Sequence, residues 1–471
     1  MAPSARAGDG TDPYVPPMPP LADRVGWLRL LRAFRRNTLD AFPRACLHEP
    51  AVSLPLPGGG RVVLLCTPDA ARHVLVAGAG DFARLPAARR VLGPIAGRGL
   101  VLAEGEAWRR QRKVLAPAFT PRTVPLMAGH TARATEGAMH RLAASGGAPV
   151  DLHSEMQRLS LDIAAAAMFS LETGPFEARI RGMISGYLGG LGRPRVSDFL
   201  LPPGWPTPAS PARALFRRRW LRLIRDVVAV RRAQGRGGAP RDLFDLLSAA
   251  HADGHDGLLA DEVGTMIVAG HETTASTLFW AALLLARAPA VQTALAQEAA
   301  PLDLGPEGAA ESLPRLPLAR AVVQETLRLY PPAYMIARRA RRATEVCGTA
   351  VPAGATVMIP TWVMHRNPRW WVRPEAFDPQ RFLRPGEEPD RFVYLPFGAG
   401  PQVCIGAQLA LAEATLVLAR LSRDFVLTLD DDRPVMPVAT VTVRPDHAPR
   451  FRLRPRAPVP REPLSLLPEM G

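Results

Sequence analysis

The run Phe397-Gly398-Ala399-Gly400-Pro401-Gln402-Val403-Cys404-Ile405-Gly406 sets one cysteine inside a glycine-rich turn. A short apolar and aromatic stretch leads in, and an alanine-rich apolar segment with helical spacing, 405–424, leads out. Glycine tolerates unusual dihedrals and lets backbone pass close to a bulky neighbour. The pattern demands a tight loop against something large, followed at once by a helix. The helix N-terminus beside the cysteine favours a thiolate. Taken alone, a free cysteine is most often a small buried hydrophobe. A zinc or iron–sulfur site needs companions, and Cys46, Cys66 and Cys347 form no Cys-x-x-Cys pair. A nucleophilic cysteine needs a base, and none of the ten histidines is marked as one by its surroundings.

At 471 residues with 47% hydrophobic side chains, the chain is long enough to bury a large core. No internal repeat or long low-complexity linker divides it. The net charge is +15 and Lys113 is the only lysine, so the excess is arginine. The arginines are dispersed and accompany no nucleic-acid module, so nucleic acid is not an expected partner. Biased composition accounts for part of the charge, and an acidic protein partner is consistent with it. Four scattered cysteines suit a reducing cytosol, so a cytoplasmic protein is expected. Met1 to Pro20 lacks the apolar core of a signal peptide. No apolar run of about 18 residues occurs, and the nearest candidate, 263–286, is interrupted by His271 and Glu272.

Along the chain, 51–56 and 61–66 flank a Pro-Gly-Gly-Gly turn and predict a β-hairpin. Residues 67–77 predict a helix with Thr67 as cap and Pro68 at its first position. Residues 82–102 carry several Gly and Pro and predict irregular chain. Helices are expected over 104–115, 121–144, 152–169, 176–188, 211–232, 241–252, 258–288, 316–330 and 405–424. An amphipathic helix is expected over 21–36, a mobile connection over 191–211, and short strands at 355–359 and within 426–451. The expected division is a Pro-rich extension and amphipathic helix over 1–40, one domain over 41–455, and a Pro-rich tail over 456–471.

Three further segments carry chemistry. Glu325 and Arg328 lie three apart on a helix with apolar flanks, a pair tolerated in a core only when fully hydrogen-bonded. Trp108 and Arg112 share a helical face and offer an indole N–H and a guanidinium to an anion. Read without the other segments, they are a basic solvated helix anchored by one Trp. The long apolar helix carries Ala269-Gly270-His271-Glu272-Thr273-Thr274. Threonine there can simply bond back to the backbone and bend the helix.

Together, in this order, these segments resemble the cytochrome P-450 family, whose haem loop is Phe-x-x-Gly-x-x-x-Cys-x-Gly. The resemblance spans about 40–455. It implies a mainly α fold with small β regions (α+β), a triangular prism with haem b between the long central helix and the cysteine-loop helix. It implies Cys404 as metal ligand, and Phe397, Gly398, Gln402, Gly406 and Ala269 at the cofactor. Trp108, Arg112 and Arg338 become propionate donors, with Arg339 the neighbouring competitor. Glu325, Arg328 and Arg381 (in Pro379-Gln380-Arg381-Phe382) become a structural network, and His365-Arg366-Asn367-Pro368 is structural too. Gly270 opens the long helix locally, Thr273 sits at the oxygen pocket, and Glu272 passes protons inward. The sequence departs from the family at Gln402, where Arg or His is usual; a neutral amide brings a hydrogen bond but no charge.

The implied activity is monooxygenation of an apolar small molecule such as a fatty acid or terpenoid, by hydroxylation or epoxidation with O2. No reductase module is visible, so a ferredoxin or flavodoxin with its reductase is expected to donate electrons. A monomer is expected. The alternatives are a peroxide-dependent peroxygenase and a non-catalytic haem-binding sensor. Retention of Glu272–Thr273 argues against the first, and no signalling module supports the second.

Overall fold

The longest apolar stretch becomes the axis of the molecule, one continuous helix from Asp256 to Arg287. At about 1.5 Å per residue its 32 residues reach about 48 Å. The computed structural model describes residues 13–56, 60–120, 123–170, 174, 176–202, 204–234, 242–250, 256–386 and 388–457. Helices dominate, with small separate sheets, the α+β content of the cytochrome P-450 fold.

The long helix is apolar on nearly all sides because two cores share it. Its C-terminal half, including Phe279, Trp280 and Leu284, packs with Leu327, Val417 and Leu418. Trp280 stacks on Tyr330 with ring centroids 4.0 Å apart. Its N-terminal half, with Val263 and Ile267, packs with Ile95, Met168, Ile184 and Trp220. Among the described residues no single helix is long and apolar enough to cross a membrane.

The strands are β1 Ala51–Pro55, β2 Arg61–Leu65, β3 Phe82–Arg84, β4 Ile336–Ala340, β5 Thr344–Val346, β6 Thr349–Val351, β7 Thr356–Ile359, β8 Phe425–Leu429, β9 Pro437–Ala439, β10 Val443–Pro445 and β11 Phe451–Pro455. Five of them form one sheet in the order β1-β2-β7-β4-β3. β2 and β7 run parallel, and the remaining pairs are antiparallel. The register sets Arg84 of β3 directly beside Arg338 of β4. β1 and β2 pair as the expected hairpin, whose turn residues 57–59 lie outside the described residues.

Several elements differ from the sequence reading. Residues 82–102 are not irregular: after β3, Pro86–Ala96 is a helix. Pro86 opens it at a position that needs no N–H, and Val91 and Ile95 bury one face. The prolines and glycines there mark a helix start and end. Residues 191–211 contain a short helix, Val196–Leu200, held by the buried Arg213–Asp198 pair. The helix expected over 21–36 is confined to Trp27–Arg35, because Ala22 pairs with Pro43 as an isolated bridge. The expected 241–252 helix runs Leu243–Ala250, and 241, 251 and 252 lie outside the described residues. A Pro289–Ala299 helix, bent by 113° from the long one, went unread. The N-terminal segment packs on the domain: Phe377 N–H donates to Tyr14 O at 2.8 Å, and Asn37 Nδ2 to Pro437 O at 2.9 Å. Residues 1–12 and 458–471 lie outside the described residues.

Candidate active site

The cysteine turn is built by backbone. Cys404 N–H donates to Phe397 O at 2.9 Å and Val403 N–H to Gly400 O at 3.1 Å. Gly400 has φ +75°, and a Cβ there would stand 1.9 Å from Leu75 O. Only glycine permits that approach, which presses the turn onto residues from the far end of the sequence. Gly406 caps the Ala407–Asp424 helix that follows.

Cys404 opens into a cavity of about 500 Å³ whose walls are mostly apolar. Leu92, Ile95, Leu100, Val101, Met168 and Val268 contribute. The thiol is reachable from the cavity yet enclosed by protein on every side, and the second property governs its acidity. Dehydration raises its pKa, while the Gly406 N–H and the Arg112 guanidinium pull the other way.

Trp108, Arg112, Arg338, Phe397, Gly398, Gln402, Gly406, Ala269, Glu272 and Thr273 all line this one cavity. Arg112 Nη1 donates to Val403 O at 2.8 Å, tying the Gly105–Leu115 helix to the cysteine turn. Arg338 Nη2 donates to Gln402 Oε1 at 3.0 Å. Gln402 thus accepts and orients a guanidinium rather than only donating. Arg339 is elsewhere, over Gly354. A residue the sequence did not reveal is Arg84, which lines the same cavity beside Arg338. Dehydration and then Arg338 lower its pKa to about 10. It sits in a three-residue strand with no motif, so only the sheet register could reveal it.

On the long helix, Thr273 Oγ1 donates to Ala269 O at 2.7 Å. Glu272 is buried, and its Oε1 accepts from Arg444 Nε at 2.8 Å and Thr442 Oγ1 at 3.2 Å. Arg444 belongs to β10, and sequence spacing gave no sign of this pairing. The helix does not open at Gly270. The missing side chain instead admits Met168, whose Cε would lie 2.8 Å from a Cβ. His271 is fully buried, and dehydration lowers its pKa to about 4, so it is neutral.

Glu325 Oε2 accepts from Arg328 Nε at 2.7 Å, and Oε1 from Arg328 Nη2, Arg381 Nε and Asp378 N–H. Arg328 also donates to His365 O, Pro374 O and Ala376 O. His365 Nε2 accepts from Leu395 N–H at 2.9 Å, which steadies the chain entering the cysteine turn. None of these four side chains lines the cavity.

The donor set fits haem b. A single sulfur faces an apolar cavity large enough for a flat macrocycle. Arg84 and Arg338, adjacent and dehydrated, have Glu104 as their one opposite charge among the described residues, an arrangement suited to two propionates. Among the described residues no group of three or more His, Cys, Asp or Glu could hold a metal ion.

Such a fold and site define a haem-thiolate oxidoreductase. The sequence matches the Cytochrome P450 family model over residues 19–448. It is 31% identical to cyclooctatin synthase of Streptomyces melanosporofaciens, over 92% of both chains. It is 32% identical to cyclooctat-9-en-7-ol 5-monooxygenase of the same organism, over 83% of this chain and 85% of that one. It is 30% identical to a cytokinin hydroxylase of Arabidopsis thaliana, over 76% and 72%. The chain belongs to the cytochrome P450 family; its cofactor is haem b and its reaction class is monooxygenation.

Proposed function

We propose that the protein hydroxylates or epoxidises an apolar small molecule, a terpenoid or similar lipid, with electrons from a separate ferredoxin or flavodoxin and its reductase. The observation that carries this reading is the cavity, whose walls beyond the cofactor donors are mostly apolar, with a few threonines and the carboxyls of Glu272 and Glu413 among them. The relatives whose names specify a cyclooctatane alcohol and cyclooctatin agree with a hydrocarbon skeleton of that size.

Cys404 ligates the iron, and Trp108, Arg112, Arg338 and Arg84 hold the propionates. Bound haem supplies the activation of oxygen. Thr273 places a hydroxyl at the oxygen side of the cavity. Its bond to Ala269 O uses its proton and leaves its lone pairs free to accept. Glu272, the one carboxylate beside it, moves protons from the Arg444 side of the site. The aliphatic walls exclude water. The exposed face carrying Arg109 and Arg110 suits an acidic electron carrier, and the protein works as a cytoplasmic monomer.

A ligand screen on the holoprotein tests this. Terpenoids and fatty acids should shift the Soret band, and binders should turn over with NAD(P)H, reductase and ferredoxin. No shift with any apolar ligand, or shifts with polar ligands alone, would overturn the proposal. Turnover with peroxide and no electron donor would identify a peroxygenase instead.

A further inference from the structure

Arg84 and Arg338 stand side by side across the β3–β4 register, and both line the cavity. Like charges so placed repel one another unless an anion lies near. Among the described residues the acid that answers them is Glu104. Its Oε1 accepts the backbone N–H of Arg84 at 2.7 Å, and its Oε2 accepts Arg89 Nη2 at 3.0 Å. Arg341 Nη2 lies 3.9 Å from Oε1. Neither cavity guanidinium is bonded to this carboxylate. Arg84 uses its Nε on Ala103 O at 3.1 Å, and Arg338 uses its Nη groups on Ala337 O and Gln402 Oε1.

Glu104 is thus felt by the two guanidiniums without being joined to them. Burial would raise its pKa, but the Arg84 N–H and the Arg89 and Arg341 guanidiniums lower it on balance, so it is ionised. It immediately precedes the Gly105–Leu115 helix, which carries Trp108 and Arg112, yet makes no capping hydrogen bond to it. Helix capping therefore does not account for the residue. Its place is the junction of the strand and the helix that supply the cofactor donors.

We propose that Glu104 is a positioning residue for haem that also sets its reduction potential. Through the Arg84 N–H it holds β3 so that Arg84 reaches the cavity. Through its charge it opposes the propionates and the electron added when the iron is reduced. A fixed anion near the cofactor disfavours that added charge, so Glu104 keeps the potential below the value the guanidiniums alone would give. The inference rests on the reading that Arg84 and Arg338 take the propionates.

The test is a spectroelectrochemical titration of full-length holoprotein at fixed pH and ionic strength, with haem transfer to apomyoglobin as the second measurement. Glu104→Gln keeps an acceptor for the Arg84 N–H and removes the charge. Its midpoint potential should move up, and haem should leave on the order of tenfold more slowly. Arg89→Gln removes the cation that screens Glu104 and should move the potential down. Glu106→Gln, at an exposed residue paired with Arg109, should move neither. Arg84→Gln should release haem faster. The reduced carbon-monoxide spectrum shows that each variant is folded. The proposal is overturned by an unchanged or lowered potential in Glu104→Gln, by an equal shift in Glu106→Gln, or by an upward shift in Arg89→Gln. Haem loss unchanged by Arg84→Gln would remove the propionate reading, and this inference with it. If Glu104→Gln does not fold, the two remaining potentials decide: a downward shift confined to Arg89→Gln supports the proposal, and equal values in Arg89→Gln and Glu106→Gln overturn it.

Discussion

Glu325 shows how much one side chain can hold. Its two oxygens receive donors from Arg328, Arg381 and the Asp378 amide, with Glu325 and Arg328 fully buried and Arg381 nearly so. Removing it would leave two guanidiniums buried without a counter-ion. Breaking such a pair costs about 3–5 kcal/mol, a large part of a domain's usual stability. Glu325→Ala should therefore yield protein that takes up no haem and melts early, measurable as a lost Soret band in freshly purified material. A folded, haem-loaded but inactive variant would show that Glu325 acts in the chemistry instead. Gln402 works on a smaller scale. It replaces a family cation with an acceptor, and so fixes Arg338 rather than adding to its charge.

At the scale of elements, two glycines that look alike in the sequence behave differently. Gly270 lies mid-helix, where alanine gains about 1 kcal/mol of helix propensity, and its crowding comes from the flexible end of Met168. Gly400 is left-handed and faces the rigid carbonyl of Leu75. Gly270→Ala should hold its melting temperature within a few degrees, whereas Gly400→Ala should lose haem and stability. Thermal melts of the two holoproteins compare them. The cysteine turn, the long helix and the Glu325 network were legible in the sequence because each is a local pattern with a chemical reason. Arg84 and Arg444 were not, because each reaches the site through strand pairing or chain crossing that leaves no spacing behind. The Pro86–Ala96 helix was misread because proline at a helix start looks like a breaker when periodicity is short.

For the whole molecule, buried titratable groups make stability depend on pH from both sides. His271 and His365 are held neutral, with pKa values lowered to about 4 and about 3, chiefly by dehydration. The unfolded chain binds these protons below 6.5, so this part of the stability is lost as pH falls from there. Glu413 and Glu262 go the other way, raised by dehydration to about 8 and about 7. The fold keeps protons that the unfolded chain releases above 4.5, so stability falls as pH rises through those values. Glu413→Gln should remove part of the alkaline loss and leave the acid limb intact. Its advantage over wild type should grow up to about pH 8 and then level off, read by denaturant titration at each pH. A constant difference at all pH values would show that Glu413 does not titrate as described.

The contact between Gly400 and the Leu75 carbonyl has a consequence for biogenesis. The seat for the metal's sulfur is finished only when two segments far apart along the polypeptide meet, an event of high contact order and hence slow. A nascent chain whose Gly400 turn has not yet reached the Leu75 carbonyl has no such seat, so cofactor capture must wait for that long-range meeting.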